Sequence, residues 1–180
     1  MTVAQSIRFA LLLVLVSCVH TYSVTKSART TLSEPLSPGA AFLVAVPVDA
    51  SFSGRIYDGS GIMTTMETAN ALAQYTGRVT QGATPQSRDE NLEQAAASGA
   101  THLIEPEVSH WEDRATEWSA RPDRISVRMA LVDVTTGETL DSRIISGKSR
   151  LATFGGDHPQ ELLRAPLERY ADELFGARTK

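Results

Sequence analysis

The sequence predicts one α/β domain over residues 40–177, built on a mixed sheet of about five strands with two crossover helices, an antiparallel hairpin and a C-terminal helix. Three observations carry that reading. Between 40 and 108, apolar runs that read as strands alternate with two stretches of helical spacing, which is the order of parallel strands joined by crossovers. From 125 to 146, apolar and polar residues alternate on either side of a Thr136-Gly137 turn, the pattern of an antiparallel pair with one buried face. Leu163, Leu167, Tyr170 and Leu174 then share one face of a closing helix.

Composition agrees with a single globular domain: 180 residues, 42% hydrophobic and 21% charged, net charge -4. Seventeen basic and twenty-one acidic residues are mixed along the chain. Phosphate neutralisation needs clustered Lys and Arg, so this distribution argues against nucleic acid as a partner. Cys18 is the only cysteine, which excludes an internal disulfide.

Taken in order, the chain opens with a charge at Arg8 and an uninterrupted apolar run from Phe9 to Val16. A bilayer span takes roughly 20 apolar residues, so this run reads as the core of an export leader over residues 1–17. Residues 18–39 are rich in Ser and Thr with little apolar periodicity, and read as a linker. The continuous apolar run Ala40 to Val48 suggests a strand covered on both faces and ended by Pro47. Ile62, Met66, Ala69, Leu72 and Ala73 predict a helix with those residues inward, capped by Ser60 or Thr64. The preceding Gly59-Ser60-Gly61 could attract an anion at the helix start, but no Lys follows and tight turning accounts for both glycines.

A short strand at Arg78-Val79-Thr80 leads to Ser87-Arg88-Asp89-Glu90, a capping box. The helix it starts should run to about Ser98, with Leu92, Ala95 and Ala96 inward and Gly99 as its stop. Ala100 to Val108 predicts a strand in which Pro106 marks an edge or a bulge. Past the hairpin, Asp157 or His158 caps the closing helix, and Pro166 should divide a short first turn from the rest.

The stretch His110 to Arg124, HWEDRATEWSARPDR, holds both tryptophans among seven charged side chains. Two indoles expose apolar area that something has to cover. Arg114, Arg121 and Arg124 can stack on them and pair with the local carboxylates, giving a self-satisfied hairpin arm. The other reading is a recognition surface made of Trp111, Arg114, Trp118, Arg121 and Arg124, residue types enriched where proteins bind one another. His110, Glu112 and Asp113 offer an alternative, a cleft for a small ligand or a reaction. No spacing of a zinc site, nucleophile elbow or nucleotide loop is present, so the sequence points to no cofactor, no metal and no enzyme, and His20, His102, His110 and His158 read as structural.

Two resemblances add to this. Leu15-Val16-Ser17-Cys18 resembles the bacterial lipobox, which implies lipidation of Cys18 and a mature chain that begins there. Each buried methylene contributes about 0.8 kcal/mol, so two or three acyl chains would anchor the protein without a spanning helix. Val19, where inner-membrane retention commonly uses Asp, implies the periplasmic face of the outer membrane. Secondly, Gly99-Ala100-Thr101-His102-Leu103-Ile104, Trp111-Glu112-Asp113-Arg114-Ala115-Thr116-Glu117-Trp118-Ser119, Arg121-Pro122-Asp123-Arg124 and Phe154-Gly155-Gly156-Asp157-His158-Pro159 resemble an uncharacterised Gram-negative lipoprotein family, a domain of unknown function. More loosely, the order of elements is similar to the α/β domains of the Tol-Pal translocation protein, the curli secretion lipoprotein and the peptidoglycan-synthase activator lipoproteins. The resemblance brings no catalytic residues. It implies a membrane-anchored lipoprotein, and the two indoles among arginines, with no recognisable reaction centre, then point to another envelope protein as the partner of the arm.

Overall fold

The computed structural model describes residues 21–26, 32–112, 123–149 and 161–177. The leader, Cys18, the arm residues 113–122 and the 150–160 segment with its expected helix cap lie outside the described residues. The elements in chain order are β1 (Thr21–Lys26), β2 (Phe42–Val46), β3 (Ser51–Phe52), β4 (Arg55–Ile56), α1 (Ser60–Leu72), β5 (Val79–Pro85), α2 (Arg88–Ala97), β6 (His102–Glu112), β7 (Arg124–Asp133), β8 (Thr139–Lys148) and α3 (Glu161–Leu174). Six strands form one mixed sheet in the order β1-β8-β7-β6-β2-β5, and β3 and β4 pair separately. β2 runs parallel to both β5 and β6, whereas β6, β7, β8 and β1 pair antiparallel. The expected α/β class, both crossovers, the hairpin and the closing helix are all present.

Strand alternation divides the core between two faces. Phe42 and Val44 of β2 join Ile125, Val127, Met129 and Leu131 of β7 in the main cluster, which α1 and α3 cover. Leu43 and Ala45 face the other way, meeting Leu103, Val132 and Ala95 of α2. All five residues of β2 are therefore buried, as its unbroken apolar run requires. The capping box opens α2 as read: Ser87 accepts from the Glu90 backbone, and Glu90 accepts from the Ser87 backbone at 2.8 Å. Gly99 and Gly137 both take positive φ, at 71° and 70°, where the helix stops and where the hairpin turns.

Four expectations are corrected. Residues 21–26, read as linker, form β1 and pair with β8 from Thr21↔Lys148 to Lys26↔Arg143. Five of the six are exposed, so main-chain hydrogen bonding and not burial makes this strand, and no hydropathy pattern announces it. Leu32 and Leu36 continue the docking, packing on the core and donating their amides to the Leu140 and Leu174 carbonyls at 3.0 and 2.8 Å.

The face of α1 is turned from the one expected. Thr64, Thr65 and Thr68 are buried with Ala69 and Leu72, while Ile62 and Met66 stand 41% and 49% exposed. Each threonine hydroxyl donates to a main-chain carbonyl: Thr64 to Ser60 at 2.8 Å, Thr68 to Thr64 at 2.7 Å, Thr65 to Ala45 at 2.9 Å. With their polar atoms satisfied, these residues pack as small apolar ones. Neither Ser60 nor Thr64 caps the helix. Asp49 does so from the loop after β2, its carboxylate accepting from the Gly59 and Gly61 amides at 3.0 and 2.8 Å. The anion that the helix start attracts is thus the chain's own. Gly61 is required there, because a Cβ would come within 2.2 Å of the Pro47 carbonyl oxygen.

Pro166 does not divide α3, which runs from Glu161 to Leu174 with Pro166 buried inside it. Proline has no N-H to give the Leu162 carbonyl four residues back. That carbonyl oxygen instead lies over Gly147 of β8, where a Cβ would meet it at 2.7 Å. Burial of Leu163, Leu167, Tyr170 and Leu174 holds the helix together across the gap.

Tyr170 is 1% exposed and its hydroxyl has no hydrogen-bond partner among the described residues. Burial pushes its ionisation above the usual tyrosine range. A buried hydroxyl without a partner costs about 1–3 kcal/mol in desolvation, so Tyr170→Phe is expected to raise stability by about 1 kcal/mol. Thermal unfolding checks this: the melting temperature should rise by roughly 2–4 °C, and a fall would show that the hydroxyl is bonded.

Candidate functional site

β6 organises both places where chemistry can occur. It pairs with β2 only from His102 to Ile104, yet stays paired with β7 as far as Glu112. Its second half therefore projects past β2 as an overhang, bending at a bulge between Val108 and His110. Ahead of the bulge, Ile104, Pro106 and Val108 stand opposite Leu131, Met129 and Val127. Beyond it the extra residue resets the phase, and Trp111 lies opposite Ile125.

Trp111 is consequently part of the main core at 2% exposure, so this indole belongs to the scaffold and presents no open surface. Arg124 is exposed at the start of β7, between Glu112 and Lys148 in register. Arg114, Trp118 and Arg121 lie outside the described residues. Glu112 is 6% exposed, and its carboxylate approaches His110 Nε2 at 3.5 Å. The His110 ring meets Phe52 edge-on, centroids 4.6 Å apart. The structure thus brings together two of the three residues of the alternative cleft, with Asp113 outside the described residues. A His-carboxylate pair can hold and pass a proton. Among the described residues, no group of three or more His, Cys, Asp and Glu is placed to hold a metal ion.

A shallow groove of about 400 Å³ runs beside this base, lined by Thr21, Tyr22, His110, Arg124, Ser126 and Lys148. It lies along one row of the sheet. Thr21 pairs with Lys148, Lys148 with Arg124, and Arg124 with Glu112, so the chain's entry into β1 and the base of the arm share one end of the sheet.

The second place was not legible in the sequence. A crevice of about 490 Å³ opens where β2 and β5 end. The chain leaves β2 toward α1 on one face of the sheet and leaves β5 toward α2 on the other. Neighbouring parallel strands whose connections depart to opposite faces leave a gap beyond their carboxyl ends. Val46, Pro47, Val48, Pro85, Pro106 and Val108 give it apolar walls, and Asn91, Glu105 and Glu107 add polar atoms. Asn91 is 4% exposed; its amide donates to the Gln86 carbonyl at 3.3 Å, and its Oδ1 has no partner among the described residues. Glu105 accepts from Arg88 at 2.8 Å. Burial raises its carboxyl above the usual carboxylate range, with Arg88 and Arg128 drawing it back. These residues come from β2 and the loop after it, β5, α2 and β6; the sequence marks Pro47 as a strand end and Pro106 as an edge or a bulge, and no local pattern joins them to Asn91. His102, at the other end of β6, is stacked on Phe42 with centroids 5.5 Å apart, its pKa lowered by burial, in the structural role expected.

Residues 34–174 match the model of a family described as a domain of unknown function (DUF4823). No curated protein matches the chain in sequence. Among solved structures, the PelC dodecamer from Paraburkholderia phytofirmans aligns at TM-score 0.65 and 15% identity, covering 89% of this chain and 100% of that one. Lipoprotein GNA1162 from Neisseria meningitidis aligns at TM-score 0.50 and 15% identity over 74% of this chain and 99% of that one. At these identities the likeness is one of fold. TolB from Acinetobacter baumannii aligns at TM-score 0.39 and 13% identity, covering 88% of this chain and 31% of that one.

Proposed function

The chain belongs to the family described as a domain of unknown function (DUF4823), and from that premise we propose that it is a lipid-anchored periplasmic protein of the outer membrane, not an enzyme, that docks another envelope protein through its 110–124 arm. The leader with Cys18 supports the anchor, and the fold shared with Lipoprotein GNA1162 supports an envelope role. The observation that carries the reading is the row Thr21, Lys148, Arg124 and Glu112. Cys18 precedes Thr21 by three residues, or roughly 10 Å of extended chain. An anchor on Cys18 would therefore hold the base of the arm close to the bilayer, and a partner would be met there, not across the periplasm. The same fold occurs in the PelC dodecamer, so further copies of this chain count among the partners the arm could engage.

The test is a photoreactive residue in place of Trp118 in cells, with the captured adduct identified by mass spectrometry. An adduct with an envelope protein or a second copy is expected, falling at least about tenfold in Arg114→Glu/Arg121→Glu, as loss of interfacial charge pairs implies. An adduct that survives both reversals at full yield, or none at all, defeats the docking role. Acyl chains on the Cys18 peptide test the anchor separately.

A further inference from the structure

We propose that the crevice beyond β2 and β5 is a binding site for a small organic amine, a cation carried on a short hydrocarbon body. Its shape and place come first. A cavity of about 490 Å³ is within the range that holds small ligands, and it lies where parallel α/β sheets bind them, outside the carboxyl ends of two strands whose connections part to opposite faces. The walls then set the chemistry. Val46, Pro47, Val48, Pro85, Pro106 and Val108 suit a hydrocarbon, and Val48 stands 74% exposed at the crevice. The charged side chains lining it, Asp49, Glu105 and Glu107, are all acidic, with no Lys or Arg among the lining residues.

Their commitments differ. Asp49 is occupied in capping α1. Glu107 is bound to Arg128 and is 60% exposed. Glu105, one of whose oxygens accepts from Arg88, has a side chain only 20% exposed and is far better shielded from bulk water than Glu107. Asn91, from the first turns of α2, contributes a buried amide oxygen that lacks a donor among the described residues. A carboxylate and an amide oxygen set into apolar walls ask for N-H donors on a positive centre.

The overhang of β6 argues for a small molecule over an added peptide strand. Residues 105–109 line the crevice with no β2 partner, an open edge. Pro106 has no N-H to offer on that edge and the bulge at Val108/His110 bends it, two devices that keep a free strand from recruiting another.

The probe is cadaverine, titrated into residues 19–180, which include every described residue, and followed by amide chemical shifts and calorimetry. Its diol and dicarboxylate counterparts of equal chain length serve as neutral and anionic comparisons. Saturable diamine binding is expected, with shifts confined to 45–51, 85–91 and 105–109. The diol should bind at least about tenfold more weakly, as loss of a charged hydrogen bond implies, and the dicarboxylate should not saturate at all. Glu105→Gln, close to isosteric, should weaken the diamine by about tenfold and leave the diol unchanged; Asn91→Ser should act in the same direction if Glu105→Gln fails to fold. Equal binding of all three probes, shifts elsewhere, or no saturation by the diamine at millimolar concentration overturns the proposal. None of these outcomes touches the anchor or the arm.

Discussion

Replacing Arg143 with methionine is expected to remove about 3–5 kcal/mol of folding stability, the largest loss for any single charged residue among those described. Arg143 is 3% exposed on β8 and donates from Nε to Asp141 at 2.6 Å and from Nη1 to Glu173 of α3, with its guanidinium 5.8 Å from the centre of the Tyr170 ring. Burial works against its charge, and the hydrogen bonds and attraction of Asp141, then Glu173, more than offset that, holding its pKa above the usual range. Asp141 is fully buried, so removing the cation leaves a carboxylate in the interior without it. Glu173, with a side chain 29% exposed, can turn to water. The asymmetry gives a sharp check by urea unfolding. Arg143→Met should shift the midpoint strongly, whereas Arg143→Met/Asp141→Leu should recover most of the loss, because two apolar residues of similar volume replace the pair without stranding a charge. A double variant no better than the single one would show that α3 docks through something other than this bridge.

Trp111→Ala should cost a similar amount, about 3–5 kcal/mol, through the cavity left by a large buried side chain. The indole is 2% exposed and packs in the main core opposite Ile125. Arg124→Gln, at an exposed position one register step away, removes a surface charge without setting a second carboxylate opposite Glu112 and should cost no more than about 1 kcal/mol. The contrast matters for function, since loss of a captured partner in Trp111→Ala would report unfolding, and only the stable variants test docking. Equal melting temperatures for Trp111→Ala and the parent would return that tryptophan to the surface.

What the sequence made legible follows from what periodicity can sense. The alternation of Ile125, Val127, Met129 and Leu131, the capping box at Ser87 and Glu90, and the helical spacing of Leu163 to Leu174 are local signals, and each element stands where they put it. The α1 face was misread because apolarity was taken as the mark of burial. Three threonines that bond main-chain carbonyls enter the core, and Ile62 and Met66 are left outside. The cap on the same helix comes from Asp49, ten residues before Gly59, and no local motif encodes it. The crevice shares that character: Val46, Asn91 and Glu105 meet only because β2 stops short of β6. For the arm, the bulge after Val108 decides that Trp111 turns inward, and a bulge of one residue leaves no clear trace in hydropathy.

The edge strand β1 has a mechanical consequence. Five of its six residues are exposed and it pairs on one side only, with β8, so it should be among the first parts of the domain to exchange amide hydrogens and to peel away. Peeling would bare the amides and carbonyls of β8 from Arg143 to Lys148 along the whole of that ladder. On the proposed anchor at Cys18 it would also lengthen the tether by the span of six residues, so that one event would both slacken that attachment and open an edge for a strand from outside.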